Sequence, residues 1–570
     1  MIKYLIRLIF AALFLAAPAM SAHSAEMVNV EYIHQYLNAR WGIDLPYNPE
    51  LKNPKVAANM EYLLTVVDIA NEYLNGEKTT SYGTGEYATK LAADTIATNT
   101  AIDSLVHGPS FYITTTPDTT EFHIIIAAAG DFIINWGDRE YEFISDKQLG
   151  KTVYSHTYSA PGEYLIRLSG TATDYYNNGS YSYIADIAFH DYPTYATNSQ
   201  HIAKISGSLG NVFPTLPDGT NPTFYSTFGD AENLTKIPDN LFDGIHGAPV
   251  PNMFGLTFAG SGITEIPDKL FANISGAPAY NMFGSTFQNT PITSIPETLF
   301  SSISGAPAEW MFSSTFVGTN ITSIPEKLFS SLSGPPAESM FYSTFAATKI
   351  TSIPENLFAT IQGRPAEAMF HATFDACQLL TSVPEKLFAN IKGAPVSFLF
   401  NYTFRWTNSL KEIPENLFAS ISGAPATALF DGTFMDGGLT QIPENLFANI
   451  SGTPADSMFN GTFRGTQITS IPENLFAGIS GTPADSMFNW TFQDTPITSI
   501  PENLFGNLSG PAARNMFNYT FSGCTSLTGP SAQIDGQYLY EIWPDISTGT
   551  YTYRDATGLS DYEQIPANWK

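Results

Sequence analysis

The stretch ITSIPENLFAGISGTPADSMFNWTFQ, Ile468–Gln493, decides the fold, because the chain repeats it with small changes. Its Ile or Val before proline falls at Ile237, Ile266, Ile295, Ile324, Ile353, Val383, Ile413, Ile442, Ile471 and Ile500. Seven of those nine steps are 29 residues, and the two that flank Val383 are 30. A period of this size marks an architecture in which each unit packs only on its neighbours. It moves the expected function away from a single catalytic pocket and onto a long repeated surface.

Within one unit, Ile468 and Ile471 bracket Thr469 and Ser470 in a short strand. Stacking lines these two up with Thr498 and Ser499 on one face. Ser470 and Glu473 have capping-box spacing, with proline inside the first helical turn. The same pair recurs at Ser294/Glu297, Ser323/Glu326, Ser352/Glu355, Ser382/Glu385 and Ser499/Glu502. The spacing predicts a helix that buries Leu475, Phe476 and Ile479 and stops at Gly481. A second helix begins at Pro483, with Asp485 in its first turn and Met487, Phe488 and Phe492 on its buried face. Capping explains the Glu column without a metal. Trp310, Tyr342, His371, Trp406, Trp490 and Tyr519 change identity from unit to unit, so they are the candidates for recognising a protein or a sugar. Thr469, Ser470, Thr498 and Ser499 join them as the candidate strand face.

The chain has 570 residues, enough for several domains. It is 43% hydrophobic and 14% charged, with 43 Gly and 38 Pro, a composition of folded, turn-rich protein. A formal net charge of −28 argues against nucleic acid and against electrostatic attachment to anionic lipid. Lys3 and Arg7, the apolar run from Leu8 to Ala17 and small residues up to Ala25 read as a secretory signal, with a mature start near Glu26. No second long apolar segment follows, so no integral membrane span is expected after signal cleavage. Cys377 and Cys524 sit at equivalent repeat positions five units apart, too far to pair, and Thr fills that place in most other units. Both are therefore expected to be small buried side chains.

Outside the repeats, residues 26–107 carry helical apolar spacing, as with Met60, Leu63, Leu64, Val67 and Leu74 ahead of Gly76. From Phe111 the period becomes two, which predicts a β-sandwich over 108–192. NWGD at Asn135–Asp138, followed by HTYSAPGEYLIRLSG at His156–Gly170, resembles a polycystic-kidney-disease-type (PKD) domain. Arg139 stands where that pattern has its second glycine. Trp136 and Tyr164 are expected core aromatics. Asp131, Asp138 and His156 are assigned to turns and core in preference to a calcium site. The repeats with their capping units occupy 193–533, and 534–570, rich in Tyr and Trp, form a C-terminal cap.

TFSGCTSLT at Thr520–Thr528 and the ITSIP strand make the repeats resemble BspA-like bacterial leucine-rich-repeat surface proteins over residues 224–530. The extra residues at positions such as SGTPADSM depart from that family's shorter unit. The resemblance implies secretion or surface display and a part in adhesion. No H-E-x-x-H or G-x-S-x-G arrangement occurs, and no enzyme, cofactor or metal is expected. The resulting expectation is an α/β leucine-rich-repeat solenoid of 29-residue coils, preceded by a helical module and an all-β PKD-like sandwich. Its expected role is protein recognition or adhesion, with carbohydrate binding or a structural envelope role as alternatives. Its partner would be an extracellular protein or glycan.

Overall fold

The computed structural model describes residues 109–570 except 118–119, 139, 177–182, 191–197 and 546. The expected signal sequence, the helical module over 26–107 and Arg139 lie outside the described residues.

Among the described residues, eight strands precede the repeats. They are β1 (Ser110–Thr114), β2 (Glu121–Ile126), β3 (Ala129–Asn135), β4 (Tyr141–Lys147), β5 (Thr152–Thr157), β6 (Glu163–Asp174), β7 (Ile187–Ala188) and β8 (Ile202–Ser206). Two antiparallel sheets result, ordered β4-β3-β6-β1-β8 and β5-β2-β7. They enclose Phe111, Ile113, Phe122, Ile124, Ile134 and Ile166, all fully buried. The edge strand β8 comes from beyond residue 192. Trp136 is buried, stacks on His156 with centroids 5.1 Å apart, and its carbonyl accepts the Tyr158 hydroxyl at 2.8 Å. Tyr164 is half-buried and stacks on Tyr158 at 3.8 Å. Asp138 bonds His156 Nε2 at 2.7 Å, and Asp131 accepts the Asp146 N–H at 2.7 Å. Among the described residues no group of three metal-ligating side chains forms.

The repeats follow without a break in the core. Each carries a pentad F-x-x-T-F, from Phe224–Phe228 to Phe517–Phe521. Around one pentad the N–H groups of Asn281, Phe283, Ser285, Phe287 and Asn289 donate to carbonyls of the next repeat, at Glu309, Met311, Ser313, Thr315 and Val317, over 2.7–3.1 Å. The intervening N–H groups of Gly284, Thr286, Gln288 and Thr290 bond back three residues, to Asn281, Phe283, Ser285 and Phe287. The segment is thus a run of overlapping β-turns in which every second amide links to the neighbouring repeat. The P-E-N-L-F segment does the same on a smaller scale, with Leu299, Ser301 and Ile303 bonding back to Pro296, Thr298 and Phe300. Isolated parallel bridges such as Gly276↔Ile303 and Gly305↔Leu332 join one repeat to the next.

This corrects the expected α/β leucine-rich-repeat solenoid. The described chain is strands and turns, and its one α-helix is the four-residue α1 (Leu539–Ile542) in the C-terminal segment. Neither helix expected in each repeat forms. Spacing supplies the reason: equivalent rings of successive repeats lie close together, at 5.8 Å for Phe283–Phe312 and 6.3 Å for Phe300–Phe329. Packed helices need about 8–10 Å between axes. The separation is similar on both sides of the repeat, so nowhere does the stack open enough to admit a helix per unit. The capping boxes disappear with the helices. The Glu column instead faces solvent and meets the following repeat: Asn356 and Asn416 donate to Glu326 and Glu385 at 3.0 and 2.8 Å, while Lys327 and Lys386 lie 3.9 and 3.5 Å from Glu297 and Glu355. These exposed pairs offset repulsion between stacked carboxylates and add little stability.

Three phenylalanine columns run through the stack, seen in one repeat as Phe300, Phe312 and Phe316, each fully buried. Burying three such rings contributes roughly 5–9 kcal/mol per repeat before chain entropy is subtracted. The pentad Thr is buried as well, and its hydroxyl donates to a Phe carbonyl of the preceding repeat, as Thr315 does to Phe283 at 2.8 Å. Cys377 and Cys524 are buried, with their thiols on the carbonyls of Phe345 and Phe492 at 3.1 and 3.0 Å. At one end Phe228 stacks on Phe189 of the sheet domain at 5.6 Å. At the other Tyr553 stacks on Phe521 at 5.8 Å and Trp569 on Tyr553 at 6.2 Å, which closes the core. A short hairpin of β9 (Gln533–Ile534) and β10 (Gln537–Tyr538) precedes α1.

Candidate functional site

The turn run places three residues per repeat in the left-handed region: two before the pentad, at its middle, and two after it. These side chains point off the turn face, and their identities show what the fold requires there. One repeat has Ser339, Ser343 and Ala347, and the next has Ala368, Ala372 and Ala376. On the far side come Ala428, Gly432 and Asp436, then Ser457, Gly461 and Gly465. Small residues therefore suffice. Between those two flat pairs stands a repeat with Phe398, Tyr402 and Trp406 at the same three places, at φ 59°, 55° and 56°. A bulky L-residue is an outlier in this region, where Gly, Asn and Asp are preferred. Three aromatic rings in one row are thus not a demand of the fold.

The row is locked by charge. Arg405 grips Asp375 with two bonds, Nε to Oδ1 at 2.9 Å and Nη2 to Oδ2 at 2.6 Å. Its guanidinium also lies 4.3 Å from the Tyr402 ring centre and 4.2 Å from that of Trp406. Tyr402 leans over Gly432, where a Cβ would come within 2.3 Å of its ring, so a glycine there is required by close approach. Asp431 beside it accepts Asn460 at 2.9 Å, and Asn401 donates to its backbone carbonyl at 3.2 Å. Burial raises the Asp431 carboxyl to about 7, against the opposing pull of Asn460 and Arg405. Burial, helped by Arg405, lowers His371 to about 4, so this imidazole is neutral at physiological pH. Phe398 and Trp406 remain 38% and 43% exposed, and Leu379, at the edge of the preceding repeat, 49%. The two 30-residue steps occur here, each from one added residue between the pentad and the next strand.

Of the sequence candidates, Trp310, Tyr342, His371 and Trp406 are brought together. Trp310 lies 5.4 Å from Tyr342, Tyr342 stacks on His371 at 4.3 Å, and His371 meets the Tyr402 ring edge-on at 5.9 Å. Trp490 and Tyr519 form a second group nearer the C-terminus, 6.2 Å apart. Thr469, Ser470, Thr498 and Ser499 are exposed on a different segment of the repeat. There the Thr498 N–H and hydroxyl both serve the Thr469 carbonyl, at 3.1 and 3.3 Å, which gives that column a role in the stack. Sequence reasoning passed over Phe398, Tyr402, Arg405 and Asp431. The available signal was three aromatics at i, i+4 and i+8 where the two preceding repeats keep Ser or Ala. No protein-family model, curated protein or solved structure matches the chain.

Proposed function

We propose that the chain is an exported binding protein that recognises an extracellular protein partner in adhesion, through the turn face of its repeats. The observation that carries this reading is the row Phe398, Tyr402 and Trp406 with Arg405 held between two of its rings. Tyr, Trp and Arg are the side chains that dominate protein interfaces, especially where several rigid rings are pre-positioned. A salt bridge to Asp375 fixes the guanidinium before any partner arrives, so little side-chain entropy is lost on binding. The small-residue repeats on either side leave the row standing above its surroundings. The N-terminal pattern supports export, and the likeness of Thr520–Thr528 to BspA-like surface proteins points to the same setting. The net charge of −28 keeps nucleic acid out of consideration. Retention of the full chain on immobilised extracellular matrix proteins, compared with a Trp406→Asn and Phe398→Ser double variant, tests the proposal. Saturable retention that the double variant loses supports it. Equal retention by both chains sinks it.

A further inference from the structure

We infer that the C-terminal end of the turn face is a separate site for a neutral, extended glycan chain. In the last two repeats, and at the equivalent place of the C-terminal segment, the middle left-handed position is aromatic: Trp490, Tyr519 and Tyr551, with centroids 6.2 and 5.5 Å apart. The rings run along the stack, one per repeat, whereas Phe398, Tyr402 and Trp406 run across it. A linear polymer with one unit per repeat suits this arrangement, and the length of a pyranose in an extended glycan is of that order. The C–H face of a pyranose packs on an aromatic ring, while its hydroxyls need planar donors and acceptors beside the ring.

A row of such groups flanks the aromatic line. Asn489 donates to Asn460 Oδ1 at 3.0 Å and Asn460 to Asp431 Oδ1 at 2.9 Å, each one residue ahead of the middle position. Asn518 continues the row and accepts the Thr550 N–H at 2.8 Å. Asn460 and Asn489 each have a second N–H beyond the one that joins the row, and Asn518 has one beyond its bond to Asn515 Oδ1 at 2.7 Å. Arg464 adds an independent pointer to a ligand. Its guanidinium lies 5.8 Å from the Trp490 ring, it forms no ion pair among the described residues, and its Nε is buried with no hydrogen-bond partner. Arg405, by contrast, is held by two bonds to Asp375. The Arg464 Nε is one of only three buried side-chain polar atoms among the described residues with no partner, and such an atom asks for an acceptor. The net charge opposes a polyanion, so hydroxyl and ring oxygens of a neutral sugar are the fitting acceptors.

This site uses other repeats than the Phe398–Trp406 row, so either reading can fail alone. The test is affinity electrophoresis of the full chain in gels containing hydroxyethylcellulose, xyloglucan, mixed-linkage β-glucan or glucomannan, beside polygalacturonate and alginate. Trp490→Ser and Arg464→Gln copy sister repeats, which carry Ser314 and Gln493 at those positions, so folding is preserved. The expected result is retardation by at least one neutral polymer, weakened about tenfold by each variant and unchanged by Trp406→Asn. Absence of retardation in every neutral gel overturns the inference. So does stronger retardation by the polyanions, or equal affinity in Trp490→Ser and Arg464→Gln with urea midpoints near the parent's.

Discussion

Replacing Trp406 by Asn separates recognition from folding. The ring is 43% exposed, so a little over half of a side chain that can bury about 200 Å² is covered. At about 25 cal/mol per Å², losing that contact costs roughly 2.5 kcal/mol, and the cation–π contact with Arg405 adds about 0.5–1 kcal/mol. Against this, Trp406 occupies φ 56°, where an L-residue other than Asn, Asp or Gly is strained by about 1–2 kcal/mol. Sister repeats hold Asn289, Asp436 and Asp494 at the same place. The expected net loss is therefore about 2 kcal/mol. Phe404→Ala, two residues earlier, removes a fully buried ring stacked at 5.7 Å on Phe374 and 5.9 Å on Phe434, and should cost about 3–5 kcal/mol. Urea unfolding followed by near-ultraviolet circular dichroism gives both values, and retention on matrix proteins gives the functional one. Loss of a central anchor should weaken binding at least about thirtyfold. If Trp406→Asn destabilises as much as Phe404→Ala, or leaves retention intact, the ring belongs to the core and the reasoning is wrong.

The structure supports further expectations. Phe312→Ala in mid-stack leaves a void among Phe283, Phe300, Phe329 and Phe341, which lie 4.7–5.9 Å away. Repeats on its two sides should then unfold separately, seen as two phases in hydrogen exchange where the parent shows one. Burial raises Asp186, at the joint of β7 with the first pentad, and Asp431 to about 7 from an ordinary 3.8. Since each folded-state value lies above the unfolded one, the penalty is absent below about pH 4, grows towards pH 7 and is constant beyond. Stability should therefore fall between pH 4 and 7. For Asp186 the roughly three-unit rise corresponds to at most about 4 kcal/mol, and Asp186→Asn should flatten the urea-midpoint profile. Burial pushes the Cys377 and Cys524 thiols up to about 12 and about 11, so a thiol reagent should modify neither until the chain is unfolded. Gly432→Ala should cost about 1–2 kcal/mol, because it strains a left-handed residue and drives a methyl into the Tyr402 ring.

Much was legible in the sequence. The period and the identity of the columns follow from spacing alone, because a residue that recurs every 29 positions must meet its own copy. Phe283, Phe312 and Phe341 could be aligned, and the small buried character of Cys377 and Cys524 inferred, without coordinates. The conformation of the repeat was not legible. Proline followed by Glu, with Leu and Phe further on, satisfies helix rules as well as turn rules, and local pattern cannot choose between them. Stacking distance chose: at about 6 Å per repeat each amide must alternate between its own turn and the next unit, and that excludes an i→i−4 ladder. The site depended on the same decision. On a helix, Phe398, Tyr402 and Trp406 would follow an ordinary apolar stripe. Only the turn run turns all three outward, clasps Arg405 between rings and leaves Ser, Ala and Gly on either side. Sequence set the repeat and its core columns; tertiary packing, through the closeness of the stack, decided which side chains are left facing a partner.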